Sequence, residues 1–330
     1  MANIAFISTA HIHTKEFIQN TLKATDGRKI VGIWDDVPDR GQRYAESAKT
    51  KFFPKMEELL VNKDVDGFVI CAENTKHLPL LKKVLPVGKP VFCEKPLVTT
   101  TEDLKEVRKL FTKYPAPVFC GYMNPFSEDM TGIASLLKSD TLGKITRVRM
   151  VNAHHAAYGK WFDSPDLQWF TNPKLSGGGA FMDMGTHAVH LVRTLFGPVK
   201  EVWADIGNHS GNYTEVDDWG MAQLRFTSGV VGTLTAAWTQ TGGQGGLEIQ
   251  GEKAAVWNTA SGYIVRGPSL EVHPLQKGPK LPDRMDRLVA IIRKEIPEKD
   301  LATDLEAIMD SVAIMEAAYR SAKSGKWTKV

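Results

Sequence analysis

The sequence predicts an α/β protein: an N-terminal doubly wound parallel sheet of Rossmann type, then an α+β domain with a largely antiparallel open sheet. Three observations carry this. Short apolar runs alternate with helix-period segments up to about residue 123, as repeated βα units require. From about Asn124 the pattern changes to alternating strands divided by glycine turns. Between them, Pro90–Cys93 reads as a buried strand that stops abruptly at Glu94-Lys95-Pro96, because Pro96 lacks an N–H and keeps Lys95 out of the α region. The expected division is 1–123 for nucleotide binding and 124–330 for substrate binding and oligomerisation.

In chain order, Asn3–Ile7 is an apolar strand, followed by a helix carrying Phe17, Ile18 and Leu22. Lys29–Trp34 is the second strand, with a helix over Asp39–Ala48. Lys51–Phe53 is a short strand and Met56–Leu60 a short helix. Gly67–Cys71, Val91–Cys93 and Val118–Tyr122 complete the parallel set, with helices at His77–Leu85 and Thr101–Phe111. In the second half a helix at Asp129–Lys138 precedes strands at Ile145–His154 and Val199–Gly207. Trp219–Phe226 and Val230–Trp238 flank the tight turn Thr227-Ser228-Gly229. Leu247–Gln250, Ala254–Asn258 and Tyr263–Arg266 continue the sheet. Thr303–Ser324 is the clearest helix: Leu305, Ile308, Met309, Val312, Met315 and Tyr319 keep a 3.6 period, Thr303 and Glu306 form a capping box, and Gly325 stops it. It is placed packing back on the first domain.

Composition narrows the function. The chain of 330 residues is 42% hydrophobic and 24% charged, with a net charge of +3 and no long basic run, which gives no case for nucleic acid. No apolar run reaches membrane-spanning length, and the first strand leaves no room for a signal peptide, so a cytoplasmic protein is expected. Cys71, Cys93 and Cys120 form no CxxC and read as buried reduced thiols. No metal centre is expected: His154-His155 with His187 and His190 has no cysteine nearby and no HExxH. His190 itself reads as core.

A dinucleotide fingerprint falls on Ser8-Thr9-Ala10-His11-Ile12-His13, where none of its three glycines is present. Ser8 and Ala10 are small enough at the first two positions for the backbone to approach a diphosphate. His13, at the third, is the larger departure. Asp35 ends the second strand, where a carboxylate accepts hydrogen bonds from the adenosine ribose and repels a 2′-phosphate, so NAD is expected over NADP. Asp36 beside it can share the role.

Three stretches then resemble a known family: Val65-Asp66-Gly67-Phe68-Val69-Ile70-Cys71-Ala72-Glu73-Asn74-Thr75-Lys76-His77, Gly88-Lys89-Pro90-Val91-Phe92-Cys93-Glu94-Lys95-Pro96-Leu97, and Gly177-Gly178-Gly179-Ala180-Phe181-Met182-Asp183-Met184-Gly185-Thr186-His187. Together they resemble the Gfo/Idh/MocA oxidoreductases over essentially the whole chain. The resemblance implies an NAD(P)-dependent dehydrogenase or reductase acting on a sugar, inositol or related polyol. It implies that Ala72, Glu73, Asn74 and His77 lie along the cofactor, with Glu94 and Lys95 at the nicotinamide end. The glycine-free loop departs from the family, as does Met123-Asn124-Pro125-Phe126, where many members carry Arg before Phe. Asn124 is taken as a substrate contact.

The residues supply their own chemistry. Gly177-Gly178-Gly179 lets the backbone approach a ligand and opens a helix on which Asp183 and His187, four apart, share a face. With the Lys95 amine they make a set for alcohol oxidation. His187 takes the hydroxyl proton as hydride leaves carbon, Lys95 stabilises the alkoxide or relays the proton, and Asp183 holds the hydroxyls and the imidazole in register. His154, Tyr158, Trp161 and Trp169 offer stacking faces and hydrogen bonds suited to a polyol, although each also has a purely structural reading. Two other outcomes share the site: a glycosidase that oxidises transiently and recycles its NAD, and a sugar or NAD sensor without turnover. A homo-oligomer, dimer or tetramer, is expected through the C-terminal sheet.

Overall fold

The computed structural model describes residues 2–330. The N-terminal sheet has five parallel strands, β1 (Ala2–Ile7), β2 (Arg28–Trp34), β3 (Gly67–Ile70), β4 (Val91–Cys93) and β5 (Val118–Cys120), in the order β2-β1-β3-β4-β5. The predicted strand at 51–53 survives only as a single bridge between Ile33 and Phe52, on the outer side of β2. Counting it as the edge gives the doubly wound dinucleotide-binding order, with the switch point between β1 and β3. The strands are apolar on both faces because helices cover both: Ile4, Phe6, Phe68, Val69 and Phe92 are fully buried. Cys71, Cys93 and Cys120 are buried free thiols, and burial raises the pKa of all three.

The second sheet has nine strands: β6 (Ile145–Ala153), β7 (Val199–Gly207), β8 (Trp219–Phe226), β9 (Val231–Ala237), β10 (Gly246–Gly251), β11 (Ala255–Thr259), β12 (Gly262–Arg266), β13 (Val272–Pro274) and β14 (Thr328–Lys329). Their order is β13-β12-β11-β10-β6-β9-β8-β7-β14, antiparallel except for the β6–β9 pair. One face packs on the helices Thr186–Phe196 and Glu298–Ser324 through Val148, Met150, Val202, Leu224 and Leu234. The other face carries the alternate side chains, among them the half-buried Trp203, Trp219, Met221 and Trp257.

Two elements differ from the sequence reading. The last helix begins at Glu298, not Thr303, with Pro297 at its N-cap. Thr303 sits inside it and its hydroxyl donates to Lys299 O at 2.9 Å, so no capping box forms. The helix joins the two cores, Ile308 and Val312 facing the first and Ile314 and Met315 the second. The helix Arg284–Ile292 went unpredicted; its Met285, Leu288, Val289 and Ile291 fill the first core.

Candidate active site

The carboxyl ends of β1, β4 and β5 meet the segment 152–187 from the second half of the chain. There they bound a cavity of about 360 Å³ lined by Lys95, Asp183 and His187 together with Asn124, His154 and Trp161. Lys95 is displayed as the sequence implies: β4 ends at Cys93 and the Lys95–Pro96 peptide is cis. Its side chain, 3% exposed, reaches across to the second half of the chain, where Nζ meets Asp183 Oδ1 at 2.6 Å and Asp183 O at 3.1 Å. The other Asp183 oxygen accepts the Trp238 indole N–H at 2.9 Å. Burial raises the Asp183 pKa, but the charge and hydrogen bond of Lys95, with the Trp238 bond, outweigh it and hold the carboxyl well below the usual carboxylate range.

Asp183 makes no hydrogen bond to His187, contrary to the sequence expectation; its oxygens turn to Lys95 and Trp238 instead. The residues Phe181–Gly185 form a wide π turn before the helix Thr186–Phe196, so the spacing is not that of a regular i,i+4 pair. His187 packs edge-on to Tyr122, ring centroids 5.6 Å apart, and Tyr122 shares a 2.7 Å hydrogen bond with Thr186. Burial first, then the Lys95 charge, lowers the His187 pKa well below 6.5, so the imidazole is neutral at pH 7. His190 is core, stacked on Tyr122 at 4.0 Å.

The three glycines also serve another purpose than the expected close approach of a ligand. A Cβ at Gly177 would lie 2.5 Å from Thr99, one at Gly178 2.4 Å from the Tyr319 hydroxyl, and one at Gly179 1.9 Å from the Asp217 carbonyl oxygen. The Asp217 carboxylate accepts the N–H groups of Gly179 and Phe181 at 2.8 and 2.7 Å and the Tyr319 hydroxyl at 2.9 Å. It caps the start of the helical segment that carries Asp183. Gly179→Ala is accordingly expected to cost about 3 kcal/mol or more, since its new neighbour is backbone and cannot swing aside; the denaturation midpoint measures it.

The nucleotide loop keeps the fingerprint's course without its glycines. Ser8 adopts φ +67, the left-handed conformation that favours glycine. Asp35, however, is engaged within the fold. It is 2% exposed and accepts bonds from Thr9 N, the Thr9 hydroxyl, Val37 N and Arg40, whose Nη2 lies 2.8 Å from Oδ1. Five residues on, at the start of a helix, Arg40 turns back and takes the carboxylate for the fold. Asp36 remains partly exposed, paired with Lys76. Glu73 pairs with Lys76 at 3.0 Å and Arg40 at 3.6 Å. Asn74 donates to Ser176 O, His77 bonds Pro96 O at 2.8 Å, and Ala72 is wholly buried.

The segment 155–176 lies directly over this loop. The Trp169 indole donates to Ala10 O at 3.0 Å, and Trp169 and Phe170 stack with each other and meet His11 at tilted angles. Ser8, Thr9, Ala10 and His11 are each 1% exposed as a result, while Ile12 remains exposed. Trp169 thus lies on the loop and not in the cavity; Tyr158, 52% exposed, is also outside it. The same segment also meets the first domain where Asp166 pairs with Arg43 at 2.7 Å. The left-handed turn at Ser8, with the helix Thr14–Lys23 after it, suits a dinucleotide diphosphate, and Trp169 and Phe170 cover it. Cavity residues beyond the predicted set are His13, Met123, Asn152, Phe162, Phe170, Met184 and Arg284. His13 had a sequence signal, as the bulky substitute for a glycine.

Fold and donor set together define a Rossmann-type oxidoreductase, a class to which comparison with known proteins adds a family. Residues 2–122 match the model described as "Oxidoreductase family, NAD-binding Rossmann fold" and residues 131–257 that of the GFO/IDH/MocA C-terminal domain. The chain belongs to the GFO/IDH/MocA family, and its first domain is the family's NAD-binding domain. It is 27% identical to the 1,5-anhydro-D-fructose reductase of Ensifer adhaerens over 73% of this chain and 71% of that protein. It is 24% identical to the 2,7-anhydro-N-acetylneuraminate hydratase of Escherichia coli over 92% and 91%. The fold is that of the NAD+ complex of an inositol dehydrogenase homologue from Azotobacter vinelandii: TM-score 0.84, 17% identity, 100% and 97% of the two chains covered. Among the described residues no helix is long and apolar enough to cross a membrane.

Proposed function

We propose that this oxidoreductase interconverts a secondary hydroxyl and a ketone on a sugar, inositol or related polyol, with Lys95, Asp183 and His187 as its catalytic residues. The convergence of Lys95, from the nucleotide half, with Asp183 and His187 on one cavity carries the reading. When bound, NAD supplies the hydride acceptor. The chain's own groups do the rest. Lys95, fixed by Asp183, places its ammonium where an alkoxide develops. His187 is neutral and accepts the hydroxyl proton. Trp161 stacks with His154 at 4.8 Å and offers a sugar its aromatic face. Asn124 and His154 supply hydrogen bonds from the cavity wall.

Assay of a pyranose and inositol panel with NAD tests this: NADH should form with at least one member. The sign of the pH effect follows from His187. It must be neutral to accept a proton, and its pKa lies well below 6.5, so oxidation should hold its plateau down through pH 6.5 and fall only at lower pH. His187→Asn should abolish that acid limb in kcat/KM.

The Escherichia coli relative, a hydratase by name, favours a second reading in which NAD is reduced and restored within one turnover. Cleavage of a model glycoside without net NADH would mark that reaction. NAD binding without turnover of any panel member would mark a sensor. We also assign the open face of the nine-stranded sheet, with Trp203, Trp219, Met221 and Trp257, to a homo-oligomer interface, which light scattering checks. The three reduced thiols accord with a cytoplasmic location.

A further inference from the structure

One cluster beside the cavity has no part in the reaction above. His11 and His13 follow β1, Glu94 follows β4, and ligand atoms from all three lie within 4.8 Å of one another. Glu94 is fully buried: Oε2 accepts the Lys95 backbone N–H at 2.8 Å, and Oε1 has His13 Nδ1 at 3.2 Å and His11 Nδ1 at 3.9 Å. The Nδ1 of His11 accepts the His13 backbone N–H at 3.3 Å, which puts the ring proton on Nε2, a buried atom with no partner. A metal at Nδ1 would take the lone pair that now accepts the His13 N–H, so His11 exchanges that 3.3 Å hydrogen bond for the metal bond.

We propose that His11, His13 and Glu94 bind one divalent transition-metal ion, Zn²⁺ by the chemistry of the set: two imidazole nitrogens and one carboxylate oxygen. Zinc with ligands at about 2.0–2.2 Å in a tetrahedron spaces them about 3.4 Å apart. The His13–Glu94 separation of 3.2 Å already fits, whereas His11 must close on Glu94 from 3.9 Å and the two histidine nitrogens, within 4.8 Å of each other, must close to the same spacing. His13 exchanges its hydrogen bond to Glu94 for the metal bond by moving its ring proton to Nε2. Burial keeps His11 neutral, the form that ligates. Lys95, the nearest cation, is drawn away by Asp183. The fourth position opens beside His13 toward the cavity. The histidines stand in the loop that lacks the dinucleotide glycines, so the site gives that substitution a chemical purpose. It does not depend on the polyol reading.

The test uses the full chain, stripped with a chelator, then titrated with Zn²⁺ by calorimetry and with Co²⁺ by visible absorption. One equivalent should bind with Kd of about 1 μM or tighter. Co²⁺ should give the intense visible bands of a tetrahedral ion. His11→Gln and His13→Gln should each weaken binding by about tenfold or more. His273→Gln, which alters only the exposed His273–Glu271 pair, should leave it unchanged. The wild-type stoichiometry and Co²⁺ bands need no variant, and His13 has 26% of its side chain exposed, so its replacement does not threaten the core. Absence of stoichiometric binding at about 100 μM metal, or wild-type affinity in both loop variants, or loss of binding in His273→Gln, overturns the site.

Discussion

Lys95→Ala is expected to lower kcat for polyol oxidation by about 10³-fold, the range for losing a positioned charge at a developing alkoxide. The loss has a structural counterpart. Lys95 is the buried cation of a 2.6 Å ion pair, and its removal leaves Asp183 with only the Trp238 indole. Breaking such a pair from one side costs about 3 kcal/mol, mostly the penalty of a stranded charge. Asp183→Asn strands the ammonium instead. The double variant should lose less stability than the two singles combined, because no unpaired charge remains. Denaturation of the four proteins measures this coupling, and additive losses would mean that the pair is not a unit.

Trp169→Ala is expected to speed NAD association by about 10²-fold. The indole is 5% exposed, packs with Phe162, Phe170 and Ala10, and holds the loop through its bond to Ala10 O. Truncating a buried tryptophan forfeits about 3–5 kcal/mol of packing, and here that loss falls on the segment that must rise before a diphosphate reaches the loop. Trp169→Phe removes the hydrogen bond, worth about 1 kcal/mol, and part of the ring while keeping an aromatic face, and should give a smaller effect, about fivefold or more. In stopped-flow fluorescence the wild-type rate should saturate with NAD, as expected when an opening step precedes binding. Rates that rise linearly and equally in all three proteins would exclude the gate.

The sequence made some of this legible and left the rest hidden for physical reasons. Lys95 could be read because a proline ends its strand, and the Asp183–His187 segment because three glycines precede it. Why the glycines are there could not be read, since the groups that press on them, Asp217 and Tyr319, come from distant parts of the chain. Asp35 misled because strand ends that bind ribose and strand ends that anchor a turn look alike. Arg40 five residues on was the only local sign that its carboxylate was committed. The helix Arg284–Ile292 escaped because Arg284 and Arg287 are buried among its apolar residues, which breaks the amphipathic pattern, and because it starts from a left-handed residue, Arg284 at φ +46. Trp169 was placed against substrate for its aromatic face, whereas its N–H decided its position.

The most direct test of the central claim is NADH formation on the pyranose and inositol panel by the wild-type chain, Lys95→Ala and His187→Asn, each first shown folded by circular dichroism. Turnover of at least one polyol by the wild type, and its near-complete loss in both variants, is expected. Turnover that survives in both would contradict the claim.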